Sequence, residues 1–478
     1  MTKDNHRQQF PALANKAYFN YGGQGPLPEP ALDAIYQAYK RVQLGGPFSG
    51  EVGAWVVQEA MLTRRAIASE LTVPPETIAL TEDVTVGCNI ALWGLDWKAG
   101  DHLLLSDSEH PGVVASVMEL QRRFNIEVSI CPLAATLNEG DPVAVIADSL
   151  RPNTRLLVIS HILWNTGQVL PLAEIVKVCH EPPLTPPCQG GGQEEFSLVQ
   201  SEGETDIKPP LTPPCQGGGQ EEFSRVQSEG ETDIKPPLTP PCQGGGQEEF
   251  SLVQGDKPED LSLIQGGGQV ELPAKNYKVR VLVDAAQSVG VLPLNLIESG
   301  VDFYAFTGHK WWCGPEGLGG LYVSAEALAD LHPVFIGWRG IVTDANAKVL
   351  GWKSGSQRYE IATSAYPLYA GLRSAIALQH EWGTIEERYA EICRLSKYLW
   401  ERLSELPAVE CLRTSAPEAG LVSFRLTNGM PHKKLVDLLE KQGIMVRTIL
   451  NPDCVRACVH YFTTEAEIDK LVGAIAIA

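Results

Sequence analysis

The sequence predicts an α/β fold built on a mostly parallel sheet, and two observations carry that expectation. Short, continuous apolar runs recur along the chain: TIALT (Thr77 to Thr81), DHLLLS (Asp101 to Ser106), LLVISH (Leu156 to His161), VRVLVD (Val279 to Asp284) and DFYAFT (Asp302 to Thr307). Amphipathic helical stretches, such as residues 112–124, separate some of them. A strand that is apolar at every position has both faces buried, which is the signature of a sheet covered by helices on both sides. Ligands of such sheets collect at the carboxyl ends of the strands.

From about residue 345 the pattern changes to long helical stretches, residues 366–380 and 385–406, followed by the strand candidates LVSFRLT and GIMVRTI. This predicts a smaller α+β domain over residues 345–478, after a large domain over residues 31–344. Residues 1–30, with YFNYGGQGPLP, read as a Gly/Pro-rich segment packed across the boundary between the two.

The large domain is interrupted at residues 181–274. There PPLTPPCQGGGQEEFSLVQSEGETDIK runs from Pro182 to Lys208, returns at Pro209 to Lys235 with Arg225 in place of the first copy's Leu198, and begins again at Pro236. Near-identity at a fixed period raises the possibility of a solenoid. The content argues for disorder instead, because PPLTPP, GGG and several acids surround one short apolar stretch, too little to stack. On either side, LPLAEIVKVCH reads as a helix and YKVRVLVDAAQSVG as a strand and turn. The expectation is therefore an insertion in a surface connection, where closure entropy grows only slowly with length.

The chain has 478 residues, 44% of them hydrophobic and 20% charged, which is ordinary globular composition. Its net charge of -20 argues against nucleic acid. Most of that charge belongs to the insertion, which holds 17 acidic against 4 basic residues. No apolar run is long enough for a transmembrane helix, and the polar start MTKDNHRQQF does not resemble a signal peptide, so a cytoplasmic protein without membrane contact is expected. The eleven cysteines show neither CxxC pairs nor a zinc spacing, which predicts no metal site and no disulfide framework.

The sharpest chemical signal is FTGHKWWCGPEGLGGLYV, from Phe306 to Val323. A lone lysine at a strand end is more often a surface residue. Here VDAAQS adds Asp284 at the end of a buried strand and Gln287 three residues later. A buried acid needs a cationic partner, and a protonated heterocyclic nitrogen is one that a neighbouring lysine can bring. The plainer reading of Asp284 is a helix cap. Upstream, TEDVTVGCN places Val84 and Thr85 at a helix start suited to an anion. SEHPG carries His110, HILWNTGQ carries Asn165, and GIMVRTILNPDCVRACVHYF sets Arg447 and Arg456 nine residues apart around a tight turn. A guanidinium is a bidentate clamp for a carboxylate.

Together these motifs resemble the class V aminotransferase family, fold-type I enzymes that depend on pyridoxal 5'-phosphate (PLP). The resemblance covers nearly the whole chain outside the insertion and is strongest to the branch of cysteine/cystine carbon-sulfur lyases. It implies a mostly parallel seven-stranded sheet in the large domain. It also implies that Lys310 carries the cofactor as a Schiff base, Asp284 faces the pyridine nitrogen, and Gln287 and Asn165 lie near the ring hydroxyl. His110 would stack on the ring, while Val84, Thr85, Thr307 and His309 hold the phosphate. Arg456, with Arg447, would bind the substrate carboxylate. Relatives are commonly homodimers, which makes Thr363, in SQRYEIATSAYP, a candidate contributed by the other subunit.

The resemblance leaves three reactions open. These are β-elimination from cysteine or cystine to pyruvate, ammonia and sulfide or persulfide; desulfuration by a protein cysteine; and transamination or epimerisation of another amino acid. Desulfuration needs a thiol on a mobile loop. Between the two arginines stands only TILNPDCV, with Cys454 two residues before Arg456. So short a connection favours direct elimination. Cys313, after two tryptophans, is expected in a packed turn rather than as a nucleophile.

Overall fold

In the computed structural model, residues 3–181 and 278–478 are described. From residue 182 on, the expected repeat insertion lies outside the described residues. The described part forms one compact unit.

Its largest sheet has seven strands: β1 (Ile78–Thr81), β2 (His102–Ser106), β3 (Glu127–Cys131), β4 (Thr154–Ser160), β5 (Arg280–Asp284), β6 (Phe303–Thr307) and β7 (Gly319–Val323). The order across the sheet is β1-β7-β6-β5-β4-β2-β3. Pairing is parallel from β6 through β3 and antiparallel on both sides of β7. The expected mostly parallel seven-stranded sheet is present. Each of the five apolar runs becomes a strand, and the reason is visible in two cores. Leu104, Leu157, Ile159, Val281, Val283, Tyr304 and Phe306 face one cluster. Their alternating neighbours Leu103, Leu105, Leu156, Val158, Leu282, Phe303 and Ala305 face the other. A period of two with both sides covered gives an unbroken apolar run.

Two strands of this sheet are not among the apolar runs of the sequence. β3 is an edge strand in which Glu127 and Ser129 alternate with apolar residues, and only Cys131 is buried. β7 lies in the glycine-rich stretch GLGGLYV that follows Lys310. Its glycines are required by close approach, since a Cβ at Gly319 or Gly320 would collide with the Phe306 carbonyl or ring.

A second sheet holds β8 (Val409–Cys411), β9 (Leu421–Leu426), β10 (Arg447–Leu450) and β11 (Asp453–Cys458), all antiparallel in the order β8-β9-β11-β10. Its inner face, Val422, Phe424, Val455 and Ala457, packs on the helices Ile385–Ser404, His432–Lys441 and Glu465–Ala476. The expected strand GIMVRTI is split: Ile444–Met445 pairs in parallel with Ala17–Tyr18, and β10 begins at Arg447. The N-terminal segment thereby lies against the second sheet. Among the described residues, no helix is long and apolar enough to cross a membrane, and no cluster of His, Cys, Asp and Glu could hold a metal.

Candidate active site

β5 ends on Asp284 and β6 on Thr307, so both carboxyl ends open at one rim of the sheet. Gly308, His309 and Lys310 then enter the connection to β7. That connection is held at many points. Gly308 N donates to Leu318 O at 2.9 Å, Gly314 N to Gly308 O at 2.9 Å, and Cys313 N to Lys310 O at 3.1 Å. The Trp311 carbonyl accepts from Gln379 Nε2 and from His460 Nε2, each at 2.9 Å. The Trp311 indole donates to Gln287 Oε1 at 2.8 Å, and Gln287 Nε2 donates to Gly22 O at 2.9 Å. The lysine thus projects from an immobilised backbone.

Asp284 and Lys310 attract each other without forming a direct ion pair. Burial raises the Asp284 carboxyl above its usual range, against the pull of the Lys310 ammonium and of the hydrogen bond from Ala286 N at 2.9 Å. Burial likewise draws the Lys310 amine down to about 8, with Asp284 opposing and Arg456 and Arg447 assisting. Both shifts follow from one cause: each charge has lost water and found incomplete compensation.

Val84 and Thr85 open the helix Val84–Gly94, capped by Asp83, whose carboxylate accepts from Val86 N at 2.9 Å. First-turn amides have no acceptor inside a helix, so those of Val84 and Thr85 point outward. The Thr307 hydroxyl lies 2.7 Å from His309 Nδ1. Burial and the Lys310 charge lower the His309 pKa, favouring a neutral ring. His110 is exposed and caps the helix Pro111–Phe124, its Nδ1 accepting from Gly112 N at 3.2 Å. The His110 ring meets Trp164 edge-on at 5.6 Å. Asn165 is buried; its amide donates to Asn451 O at 3.1 Å, while its Oδ1 has no partner. Thr363 is exposed, next to Ile361, whose carbonyl accepts from Arg339 N.

The two arginines stand directly opposite each other, Arg447 on β10 and Arg456 on β11, across the two-residue turn Asn451-Pro452. Directly paired residues share a face, and like charges there repel. Arg456 is 2% exposed, yet no carboxylate pairs with it among the described residues. Its Nη1 donates to Trp164 O at 2.5 Å, and its Nε is unpartnered. A buried guanidinium without an anion is costly unless a ligand supplies one.

Cys454 is fully buried in β11 among Leu412, Ile449 and the partly buried Trp164 and Leu137. Burial pushes its thiol up to about 11, opposite to what an attacking thiolate needs. Cys313 is likewise buried and raised.

This donor set fits PLP on the structure's own terms. It offers an amine with lowered pKa, a buried acid seeking a cation, an unpartnered amide oxygen at Asn165, and first-turn amides with a hydroxyl for an anion. Sequence reasoning missed Gly22, Trp164 and Glu109. A Cβ on Gly22 would press on both Arg456 and Gln287, a long-range constraint that no local pattern reveals. Trp164 and Glu109 sat within quoted motifs, and only burial distinguishes them.

Comparison with known proteins agrees with this geometry. The family profile described as Aminotransferase class-V matches residues 17–184 and 268–471. A solved structure described as a complex between the cystine C-S lyase C-DES and its reaction product cysteine persulfide is 43% identical, with a TM-score of 0.77, covering 98% of this chain and 99% of its own. A variant of C-DES with glycine covalently linked to the PLP cofactor is also 43% identical, with a TM-score of 0.78 and 98% coverage of both chains. A probable cysteine desulfurase of Methanothermobacter thermautotrophicus is 22% identical over 493 residues, covering 98% of this chain and 96% of its own. The chain belongs to the aminotransferase class-V family.

Proposed function

We propose that this protein is a PLP-dependent carbon-sulfur lyase that performs β-elimination on cysteine or cystine, giving pyruvate, ammonia and sulfide or persulfide. The observation that carries the reading is the convergence of Lys310, Asp284 and the anion-less Arg456 at the rim of the large sheet. When bound, PLP supplies the electron sink for charge developing at the substrate's Cα. Lys310 would hold it covalently, with Asp284 toward its ring nitrogen and Gln287 and Asn165 toward its hydroxyl. His110 would lie against the ring, and Val84, Thr85, Thr307 and His309 would hold the phosphate.

With PLP and substrate bound, Lys310 Nζ would be the base that takes the substrate's Cα proton. An amine with a pKa near 8 is partly unprotonated at neutral pH and suited to that task. Arg456 clamps the substrate carboxylate, and Arg447 on the facing strand adds a second positive charge to the same face. Elimination needs no protein thiol, which agrees with a Cys454 locked in the core. That burial weighs against the desulfurase reading, although desulfurases are among the relatives.

The exposed apolar residues Phe335, Ile336, Trp338, Leu350 and Trp352, next to the Thr363 segment, support a homodimer that covers them. The free thiols of the described cysteines accord with a cytoplasmic location. The core beneath the second sheet supports a small domain within residues 345–478, after a large one over 31–344, while Tyr369, Leu372 and Ile376 pack in the core of the large sheet.

Reconstitution tests the proposal. Purified protein supplied with PLP should develop visible absorbance, and with cystine should yield pyruvate together with sulfide or persulfide. Material that stays colourless, or that transaminates or epimerises without releasing sulfur, would overturn it.

A further inference from the structure

One buried acid near Asp284 has no part in the mechanism above. Glu109 is 6% exposed and follows β2, the strand beside β4. Both its carboxyl oxygens are engaged by one residue: Ser160 N reaches Oε1 and Ser160 Oγ reaches Oε2, each at 2.8 Å. Ser160 ends β4 and pairs in register with Asp284 on β5. The ends of three adjacent strands therefore set Glu109, Ser160 and Asp284 in a row.

Two buried carboxyls on either side of one serine, at neighbouring strand ends, cannot both ionise cheaply. Asp284 has cationic company in the Lys310 ammonium. Glu109 makes no ion pair among the described residues: its neighbours are Ser160, the Ser106 hydroxyl, Asp284 itself and, from the helix Val84–Gly94, the Cys88 thiol. The negative charge settles on the acid that faces the ammonium.

We infer that Glu109 is a positioning residue that holds a proton and so leaves Asp284 as the single charged carboxylate beside the ring nitrogen. The inference rests on the proposed function for its consequence at the cofactor but not for the proton itself. Burial and the Asp284 charge raise the Glu109 pKa to about 8. Above that pH a second negative charge enters the pair and raises the proton affinity of Asp284.

Two measurements on the full-length chain separate the parts. Without PLP, infrared difference spectra should show a protonated-carboxyl band that titrates away near pH 8, is absent in Glu109→Gln and is retained in Glu109→Asp. Ser160→Ala, which removes one donor to the carboxylate, should move the transition to higher pH. A wild-type spectrum lacking the band, or a band unchanged in Glu109→Gln, would overturn the inference whatever the cofactor. With PLP, the wild-type absorbance should shift across the same pH range, and the Glu109→Gln absorbance should not. An identical shift in both proteins would refute the coupling to the cofactor, whereas failure of any absorbance to develop would refute the function instead.

Discussion

The two sheets meet the same problem, charge placed where water is scarce, and solve it differently. At the rim of the large sheet, burial draws the pKa values of Asp284, Glu109 and Lys310 toward neutrality, and the attraction between Asp284 and Lys310 holds part of that shift back. On the small sheet, Arg447 and Arg456 repel across a ladder with no carboxylate to separate them. A guanidinium keeps its charge in any setting, whereas amines and carboxyls can exchange protons. The first region is therefore built to move protons, and the second to hold a fixed anion.

Breaking the first region should have the largest effect. Lys310→Ala is expected to abolish both visible absorbance with PLP and sulfide release; turnover equal to the parent protein would refute its role. Next, Arg456→Ala should cost about 2–5 kcal/mol of carboxylate binding, or roughly 30-fold to several thousand-fold in kcat/KM. The exposed Arg447→Ala should lose less than about 10-fold. Steady-state kinetics of the pair decide this, and equal losses would remove the distinction between the two arginines.

The moderated amine can also be timed. Lys310 reacts as the free base, so absorbance after PLP addition should develop about tenfold faster per pH unit below the amine's pKa and level off above it. With that pKa near 8, stopped-flow traces should bend near pH 8. A profile rising unbroken to pH 10 would mean an ordinary lysine. The smallest effect is expected from Cys454→Ala, with turnover within about twofold and a stability loss of about 1 kcal/mol from the vacated core position. Loss of activity with PLP still bound would restore a persulfide-forming thiol.

The main strands were readable because burial on both faces leaves an unbroken apolar run, as in VRVLVD. β3 was not, because its residues alternate polar with apolar and are mostly half-exposed or exposed, unlike the buried edge strand β1. β7 hid behind glycines that the crowding against Phe306 demands. Among the chemical residues, Lys310, Asp284 and the two arginines stood out through motif and spacing. Glu109 did not, since an acid in a loop looks the same in sequence whether it is dry or wet. Gly22 was hidden more deeply still, because its neighbours Gln287 and Arg456 are hundreds of residues away.

That last separation bears on synthesis. The pairing of Ala17–Tyr18 with Ile444–Met445, and the bond from Gln287 to the Gly22 carbonyl, join segments hundreds of residues apart. A ribosome-bound fragment ending anywhere before the final sheet lacks one wall of the pocket. Vitamin capture would then wait for the segment that carries β10 and β11, and products stalled or truncated before it would emerge colourless.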